Sequence, residues 1–425
     1  MVGSKLVLEL VTVPLFTGVI GYVTNWTGVL MLFRPIRFRG VHLPGLKVVF
    51  PFLPRRLQLV PLLRYDGAIG WQGIVPSRAE KMASIAVDKG LAKLGSVRDF
   101  YAELDADRLA AHLAHVAQTE IADIIDLIMV REYPGVWKQL PAAVRETIHS
   151  RVRRQLPNII EEITADIGDN VDQLVDVKLM VIRHYQAHPE LLKELFLVMC
   201  RKELRFMQNF GAYFGFPAGF VLVGVLHLLP QWWVLPLGGV VIGWVANYLG
   251  ITIIFEPVFP KRWVPWRQGL LIRRQPEVTE SYATIIAGEV ITVANIGHEL
   301  LHGARSDRTR HMLESAVRPA VDKAVGPLRA PLRVALGSAD YRRIQDSVAT
   351  EVTAAAPAAY TDEEFNQEQA ERIFAFVSTQ MAKMGPDDYI ELLRSAIKQD
   401  EWLLFVHGGA LGLLAGFVHL AVFGV

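Results

Sequence analysis

Cysteine is almost absent from this chain of 425 residues, which contains only Cys200. A single thiol excludes an intrachain disulfide, a CxxC redox pair and a thiolate zinc cluster. The sequence also lacks a glycine-rich phosphate loop, a dinucleotide-binding fingerprint and a GxSxG elbow. Nucleotide-driven and serine-hydrolase functions therefore have no support. The formal net charge is only +1, and this balance excludes a strongly basic nucleic-acid-binding protein.

Hydrophobic residues, by contrast, are abundant, at 52% of the chain with a mean hydropathy of +0.28. This exceeds the content of an ordinary soluble protein. Four stretches reach the roughly 20 residues that cross a bilayer: residues 6–33, 211–229, 232–255 and 403–423. We therefore expect an all-α integral membrane protein with four transmembrane helices. The first stretch has no small-residue cleavage site after a short apolar core, so we expect it to be retained.

Basic residues follow the first and third apolar stretches and predict the orientation. They are Arg34, Arg37, Arg39, Lys47, Arg55, Arg56 and Arg64 after the first, and Lys261, Arg262, Arg267, Arg273 and Arg274 after the third. The turn at residues 229–232 carries no charge. The positive-inside rule then predicts that both large polar segments are cytoplasmic, with the turn and both termini outside.

An internal repeat organises the whole sequence. The segment GYVTNWTGVLMLFRP at residues 21–35 aligns with GWVANYLGITIIFEP at residues 243–257. Further matches pair Gln72-Gly73 with Gln268-Gly269, Glu203 with Glu401, Gly211 with Gly409, and residues 218–220 with 415–417. Each half enters and leaves the membrane from one side, so we expect parallel repeats related by an axis along the membrane normal.

The repeat predicts two equivalent domains. Repeat 1 covers residues 1–229, with a span at 6–33, a basic cytoplasmic loop at 34–72, cytoplasmic helices at 73–205 and a span at 211–229. Repeat 2 covers residues 230–425, with a span at 232–255, a basic loop at 256–268, cytoplasmic helices at 269–400 and a span at 403–423.

Four segments give the chain a resemblance to a known family. These are GYVTNWTGVLMLFRPI, WQGIVPSRAEKMA, ELRFMQNFGAYFGFPAG and IELLRSAIKQDEWLLFVHGGALGLLAGF, which lie at both ends of both halves. Together they resemble the bacterial membrane proteins grouped as domain-of-unknown-function family 445. The resemblance implies a location in the bacterial plasma membrane, and it supplies no activity and no catalytic residue.

Between the spans, apolar residues recur at helical spacing. One stripe runs through Val144, Ile148, Val152, Leu156, Ile160, Ile163, Ile167, Val171 and Leu174, with Pro157 as an expected kink. A second runs from Leu313 to Leu336 and is interrupted by Pro327 and Pro331. One interpretation is that these helices bury their stripes against each other in a cytoplasmic bundle. The alternative is that part of the apolar face contacts acyl chains, at the membrane surface or in a groove.

The basic loops mix arginine with tryptophan, phenylalanine and proline, a composition that suits a phosphate-rich interface. Candidate contacts to anionic lipid headgroups are Arg34, Arg37, Arg39, Arg55, Arg56, Lys261, Arg262, Arg267, Arg273 and Arg274. The alternative is that these residues only enforce the topology. A homo-oligomer or a protein partner stays open, whereas no nucleic-acid partner is expected.

Small and polar residues share one face of the first and third spans. Gly21, Asn25 and Gly28 are spaced i, i+4, i+7, and Gly243, Asn247 and Gly250 repeat the pattern. Small residues let helices approach closely, and an amide can bond across the contact. We expect packing between the spans, with the two asparagines meeting in one shared contact. The alternative is a polar lining for a path or binding site.

One motif has the form of a metallopeptidase site. His298, Glu299 and His302 match HExxH, in which two histidines bind zinc and the glutamate activates a water. The third histidine of the extended HExxHxxGxxH motif is missing, because Arg305 and Arg308 occupy the places of its glycine and histidine. Glu314 and His311 are the remaining candidates for a third ligand.

The sequence thus predicts a non-enzymatic membrane protein that presents a helical cytoplasmic module at the inner face of the bilayer. Its function would be scaffolding, envelope organisation or lipid contact, without a cofactor. One alternative is a conduit for lipid or solute along the repeat axis. A second is a zinc metallopeptidase that uses the HELLH motif.

Overall fold

The computed structural model describes residues 2–54, 58, 60–355 and 362–423 and is 82% helical. The helices of the first half are α1 Val2–Phe33, α2 Leu46–Val49, α3 Ile74–Ser77, α4 Ala79–Ala86, α5 Ala92–Leu94, α6 Val97–Glu103, α7 Ala106–Glu132, α8 Pro134–Gln139, α9 Ala142–Leu174, α10 Val177–Ala187, α11 Pro189–Met199 and α12 Arg201–Leu228. Those of the second half are α13 Val234–Phe255, α14 Leu270–Arg273, α15 Gln275–Ile285, α16 Val293–His302, α17 Ser306–Val325, α18 Arg329–Leu336, α19 Ser338–Ala355, α20 Glu363–Lys383, α21 Pro386–Lys398 and α22 Glu401–Phe423. The predicted all-α class is confirmed at this level.

Four helices in the described part of the chain are long and apolar enough to cross a membrane. They are α1, α12, α13 and α22, and they correspond to the four predicted spans. The second begins at Arg201, ten residues before the predicted start, because its first turns are polar but still helical. A bent pair, Gln275–Val290 and Val293–His302, also passes the length and composition test when taken as one span with a 43° bend.

The chain forms two compact units. The first, here called the apolar-helix unit, consists of Met1–Gly90, Ile182–Tyr282 and Met381–Val425. The second, the amphipathic-helix unit, consists of Leu91–Val181 and Ala283–Gln380. Each unit takes segments from both halves of the sequence, so these units are different groupings from the two predicted repeats.

Glycines allow backbones to touch inside the apolar-helix unit. Helix α1 packs against α12, and a Cβ atom added to Gly211 would overlap the carbonyl oxygen of Gly21. Helix α13 packs against α22, where a Cβ on Gly408 would meet the backbone at Gly243 in the same way. In a bilayer, lipid tails are as apolar as the helix surfaces, so the hydrophobic effect does not drive the helices together. They associate through close van der Waals contact instead.

The same kind of contact recurs about two turns further along each helix. Gly219 lies against Pro14, and Gly416 lies against Pro236. These contacts align α12 with α22 so that Gly211 corresponds to Gly408, whereas the sequence alignment paired it with Gly409. The predicted pairs Glu203 with Glu401 and Gly211 with Gly409 were therefore shifted by one residue, whereas the predicted match of residues 218–220 with 415–417 has the register of these contacts.

A small β-ribbon follows the first span. Strand β1, Arg39–His42, pairs antiparallel with β2, Ala68–Trp71, and places Arg39 opposite Trp71. The ribbon was not predicted, because each strand is only four residues long and contains a glycine. The ribbon returns the chain to the end of α1, where the Gly73 amide donates to the Pro35 carbonyl at 2.9 Å.

The amphipathic-helix unit is built on α7 and α9, with α17 and α19 packed beside them. The predicted stripe of residues 144–174 lies in one continuous helix that contains Pro157. The second stripe breaks at a 3₁₀ turn, Gly326–Leu328, between α17 and α18, at the position of one predicted interruption. The Tyr101 hydroxyl donates to the Thr164 carbonyl at 3.1 Å and ties α6 to the middle of α9.

We predict that Gly211→Ala lowers the thermal unfolding temperature of the detergent-solubilised protein. The added methyl would overlap the α1 backbone at Gly21, and overpacking of this kind costs about 1–3 kcal/mol. The matched control is Gly224→Ala on the same helix, where no atom lies within 4 Å of the new Cβ. Equal melting temperatures for the two variants would show that the close backbone contact does not stabilise the unit.

Candidate functional site

The two asparagines of the predicted polar face have separate partners. Asn25 donates its Nδ2 hydrogen to the Met207 carbonyl at 2.6 Å, and Asn247 donates to the Leu404 carbonyl at 2.7 Å. Both side chains are 1% exposed. Their Oδ1 atoms have no hydrogen-bond partner among the described residues. The expectation of one shared asparagine contact was therefore wrong, since each amide joins the two spans of its own half.

The glycines of this face fall into two kinds. Gly21 and Gly243 touch the neighbouring backbone and line a small cavity of about 40 Å³ among the four apolar helices. Gly28 and Gly250 have ordinary contacts, with His407 and Phe210 respectively. A cavity of this size is far below the roughly 150 Å³ of a cavity that takes up one benzene ring. The geometry is that of packed helices, and the asparagines do not line the cavity.

Two ion pairs connect the halves of the chain at one edge of the apolar helices. Glu203, 2% exposed at the start of α12, accepts two bonds from Arg274 Nη1 at 2.7 and 2.6 Å. Asp400, which precedes α22, pairs with Arg78 Nη2 at 2.8 Å. Burial raises the pKa of Asp400, and the charge of Arg78 opposes that rise. Each pair joins a helix start in one half to the segment that follows the first span of the other.

Arg274 is thus occupied by carboxylates, although the sequence suggested it as a headgroup contact. It also bonds Glu277, and this bond, with a smaller contribution from Lys202, lowers the pKa of Glu277 to about 2. The other suggested contacts in the described residues are exposed: Arg34, Arg37, Arg39, Lys261, Arg262, Arg267 and Arg273. Arg55 and Arg56 lie outside the described residues.

The HELLH residues lie on α16. His298 and His302 are exposed, with ring centroids 5.0 Å apart. Glu299 is 3% exposed, and its Oε1 accepts the Ala304 amide at 3.2 Å, beyond the end of its own helix. A zinc peptidase needs this carboxylate free to reach a metal-bound water. Within residues 2–54, 58, 60–355 and 362–423, no cluster of three histidine, cysteine or acidic side chains is arranged to hold a metal.

An apolar cavity of about 210 Å³ lies inside the amphipathic-helix unit, bounded by α7, α9, α16, α17 and α19. On α7 the lining extends from Leu113 to Ile124, and on α9 from Val152 to Ile167. At 1.5 Å per residue these stretches measure roughly 16 and 22 Å. The predicted stripes on α9 and α17 form two of its walls. The α7 wall was missed, although Leu113, Ala117, Ile121 and Ile124 carry the same helical spacing.

The walls of this cavity are aliphatic. The lining consists of leucine, isoleucine, valine and alanine, together with Glu120 and three threonines, and includes no aromatic side chain. One threonine, Thr309, is 2% exposed, and its hydroxyl has no hydrogen-bond partner among the described residues. A buried hydroxyl without a partner costs free energy that a polar group of a ligand would recover. The cavity therefore suits a long aliphatic group with one polar end.

Comparison with known proteins adds no relative. No family model matches the chain. No curated protein and no solved structure matches it either.

We predict that Asn25→Ala and Asn247→Ala destabilise the protein additively. Each removes one buried interhelical hydrogen bond, worth about 0.6–1.7 kcal/mol. Because the two bonds have no common partner, the loss in the double variant should equal the sum of the single losses to within about 0.5 kcal/mol. Thermal unfolding in detergent measures this, and a double variant no less stable than either single variant would contradict separate contacts.

Proposed function

We propose that this chain is a non-enzymatic, multi-pass plasma-membrane protein that holds an acyl chain of a membrane lipid in its amphipathic-helix unit. The observation that carries the proposal is the aliphatic cavity of about 210 Å³ between α7, α9 and α17. It exceeds the roughly 150 Å³ of apolar cavities that stay dry and take up small hydrocarbons. Among scaffolding, envelope organisation and lipid contact, this cavity favours lipid contact.

The shape and chemistry of the lining select an acyl chain. Aromatic rings, which would stack against a flat ligand, are absent from the lining, and the walls extend along several helical turns. A protein with four apolar helices has lipid as its nearest source of long hydrocarbon. The hydroxyl of Thr309 would bond the polar end of the chain.

A conduit along the repeat axis and a zinc peptidase are weaker proposals. The cavity among the four apolar helices measures about 40 Å³, which supports packing in preference to a path. The buried carboxylate of Glu299 does not favour zinc-peptidase chemistry. Binding of an acyl chain in the amphipathic-helix unit requires neither a conduit nor a zinc site.

We also propose the arrangement in the membrane. The chain would consist of two parallel repeats, with its polar segments in the cytoplasm and both termini outside. Matched contacts support the repeats, because Asn25 and Asn247 bond equivalent carbonyls at Met207 and Leu404. The basic residues after the first and third spans support the orientation. The resemblance to family 445 supports a bacterial inner membrane.

We predict that Ala117→Phe weakens binding of a fluorescent linear fatty acid by about ten-fold or more, because the ring would obstruct the cavity. The matched control is Ala111→Phe on the exposed face of the same helix, which should bind as the unchanged protein does. Titration of the purified protein with the probe gives the affinity, and mass spectrometry gives the lipid that copurifies.

Two further measurements separate a filled cavity from a damaged fold. The unchanged protein should bind saturated fatty acids more tightly as the chain lengthens, until the cavity is full. Thr309→Val should weaken the binding of a fatty acid and leave the binding of a simple alkane unchanged, because the substitution removes only the hydroxyl. Equal probe affinity in Ala117→Phe and Ala111→Phe, with no copurified lipid in either, would refute the acyl-chain proposal.

We predict that a reporter fused after Val425 is extracytoplasmic, whereas one inserted near Gly168 is cytoplasmic. The charge bias after the first and third spans favours this arrangement, and four crossings place the last span's end outside. Phosphatase and fluorescent-protein fusions measure the two locations. Both reporters on one side would show that the number of crossings is not four.

A further inference from the structure

Four basic side chains surround an open cavity at the end of the first apolar helix. Arg34, Arg37 and Arg39 come from the segment after α1, and Lys193 faces them from α11. The cavity measures about 1160 Å³. Glu190 is the one acidic residue in its lining. In the described part of the chain, neither Arg34, Arg39 nor Lys193 forms an ion pair, so their charges are available to a ligand.

The cavity extends from these charges along the apolar helices. Leu30 and Met31 of α1 form part of its wall. Thr27 Oγ1 and His407 Nε2, 3.1 Å apart, join α1 to α22 in the same lining. Trp71 donates its indole N–H to the Arg34 carbonyl at 3.2 Å, which fixes the ring at the edge of the cavity. A ligand that fits has an anionic head and an apolar continuation.

The corresponding place in the second half has different chemistry. Glu256 stands where the first half has Arg34, and Phe259 stands where it has Arg37. Glu256 accepts a bond from Arg394 at 2.5 Å, and Arg394 also bonds Glu401 at 2.9 Å. The charge of Glu256 is paired within the protein. The counterpart of Arg34 is thus a carboxylate that an arginine of the same half neutralises.

We propose that the cavity at Arg34, Arg37, Arg39 and Lys193 binds the phosphate-bearing headgroup of an anionic membrane lipid, whose chain follows Leu30 and Met31. Guanidinium groups bind phosphate through paired hydrogen bonds, which suits arginine to this role. The inference rests on the proposed placement of the apolar helices in a bilayer. It does not rest on the acyl-chain cavity of the other unit.

The test uses the full chain in detergent, in the Ala117→Phe background, so that the acyl-chain cavity is obstructed. Binding of short-chain phosphatidylglycerol is compared with that of phosphatidylcholine with identical chains, and with inorganic phosphate. We expect preferential binding of phosphatidylglycerol. In the triple variant Arg34→Gln/Arg37→Gln/Lys193→Gln, the affinity for phosphatidylglycerol should fall on the order of ten-fold to 100-fold. The affinity for phosphatidylcholine should not change.

The matched control carries Arg201→Gln, Arg205→Gln and Lys398→Gln, which remove the same number of charges at exposed positions outside the cavity, and it should retain the preference. Melting temperatures of both variants exclude unfolding as the cause. An unchanged affinity of the triple variant for phosphatidylglycerol would overturn the proposal. Inorganic phosphate binding as tightly as the lipid would also overturn it, since the cavity would then be a site for a free anion. If the protein failed to bind fatty acids but still preferred phosphatidylglycerol, only the proposed function would be refuted.

Discussion

Contact between helix backbones at glycine is the interaction on which the apolar-helix unit depends. Every fourth residue along one face of α12 contacts another segment. Glu203 pairs with Arg274, whereas the residues that contact α1 are Met207, Gly211, Gly215 and Gly219. The equivalent positions of the second half are Asp400, which directly precedes α22, and Leu404, Gly408, Gly412 and Gly416 of α22. Residues at this spacing lie on one side of a helix. The glycines bring the backbones together, and only at that separation can a short asparagine side chain reach a carbonyl on the neighbouring helix.

The ion pairs at the edge of these helices make each half incomplete alone. Arg78 of the first half meets Asp400 of the second, and Arg274 of the second meets Glu203 of the first. Removing one partner of such a pair leaves a poorly hydrated charge, which costs about 3–5 kcal/mol. The contacts beside the two ion pairs differ between the halves. Next to Glu203 and Arg274, Lys202 pairs with the acidic Glu277. Next to Asp400 and Arg78, Lys81 bonds the neutral Gln399. A function specific to one half is expected at equivalent positions where the two halves carry different residues.

The sequence predicted what periodicity determines and missed what packing determines. Hydropathy located the four apolar helices, and helical spacing located the stripes of α9 and α17. The partners of Asn25 and Asn247 could not be predicted, because they depend on how α12 and α22 are rotated and shifted, and Gly408 and Gly409 are equally plausible in an alignment. The β-ribbon at residues 39–42 and 68–71 depends on a loop return without alternating hydrophobicity. The cavity depends on how side-chain volumes from five helices fit together, which spacing along one helix does not encode.

The cavity of the amphipathic-helix unit has an energetic consequence. An unfilled apolar cavity costs about 24 cal/mol per Å³, so about 210 Å³ corresponds to roughly 5 kcal/mol. Whole domains are stable by only about 5–15 kcal/mol. Larger residues at Ala117, Ala320 or Ala324, all in the lining, would remove this cost without changing a helix. Since the chain keeps alanine at these positions, the cost must be offset, and an aliphatic occupant that restores the missing van der Waals contacts offsets it directly.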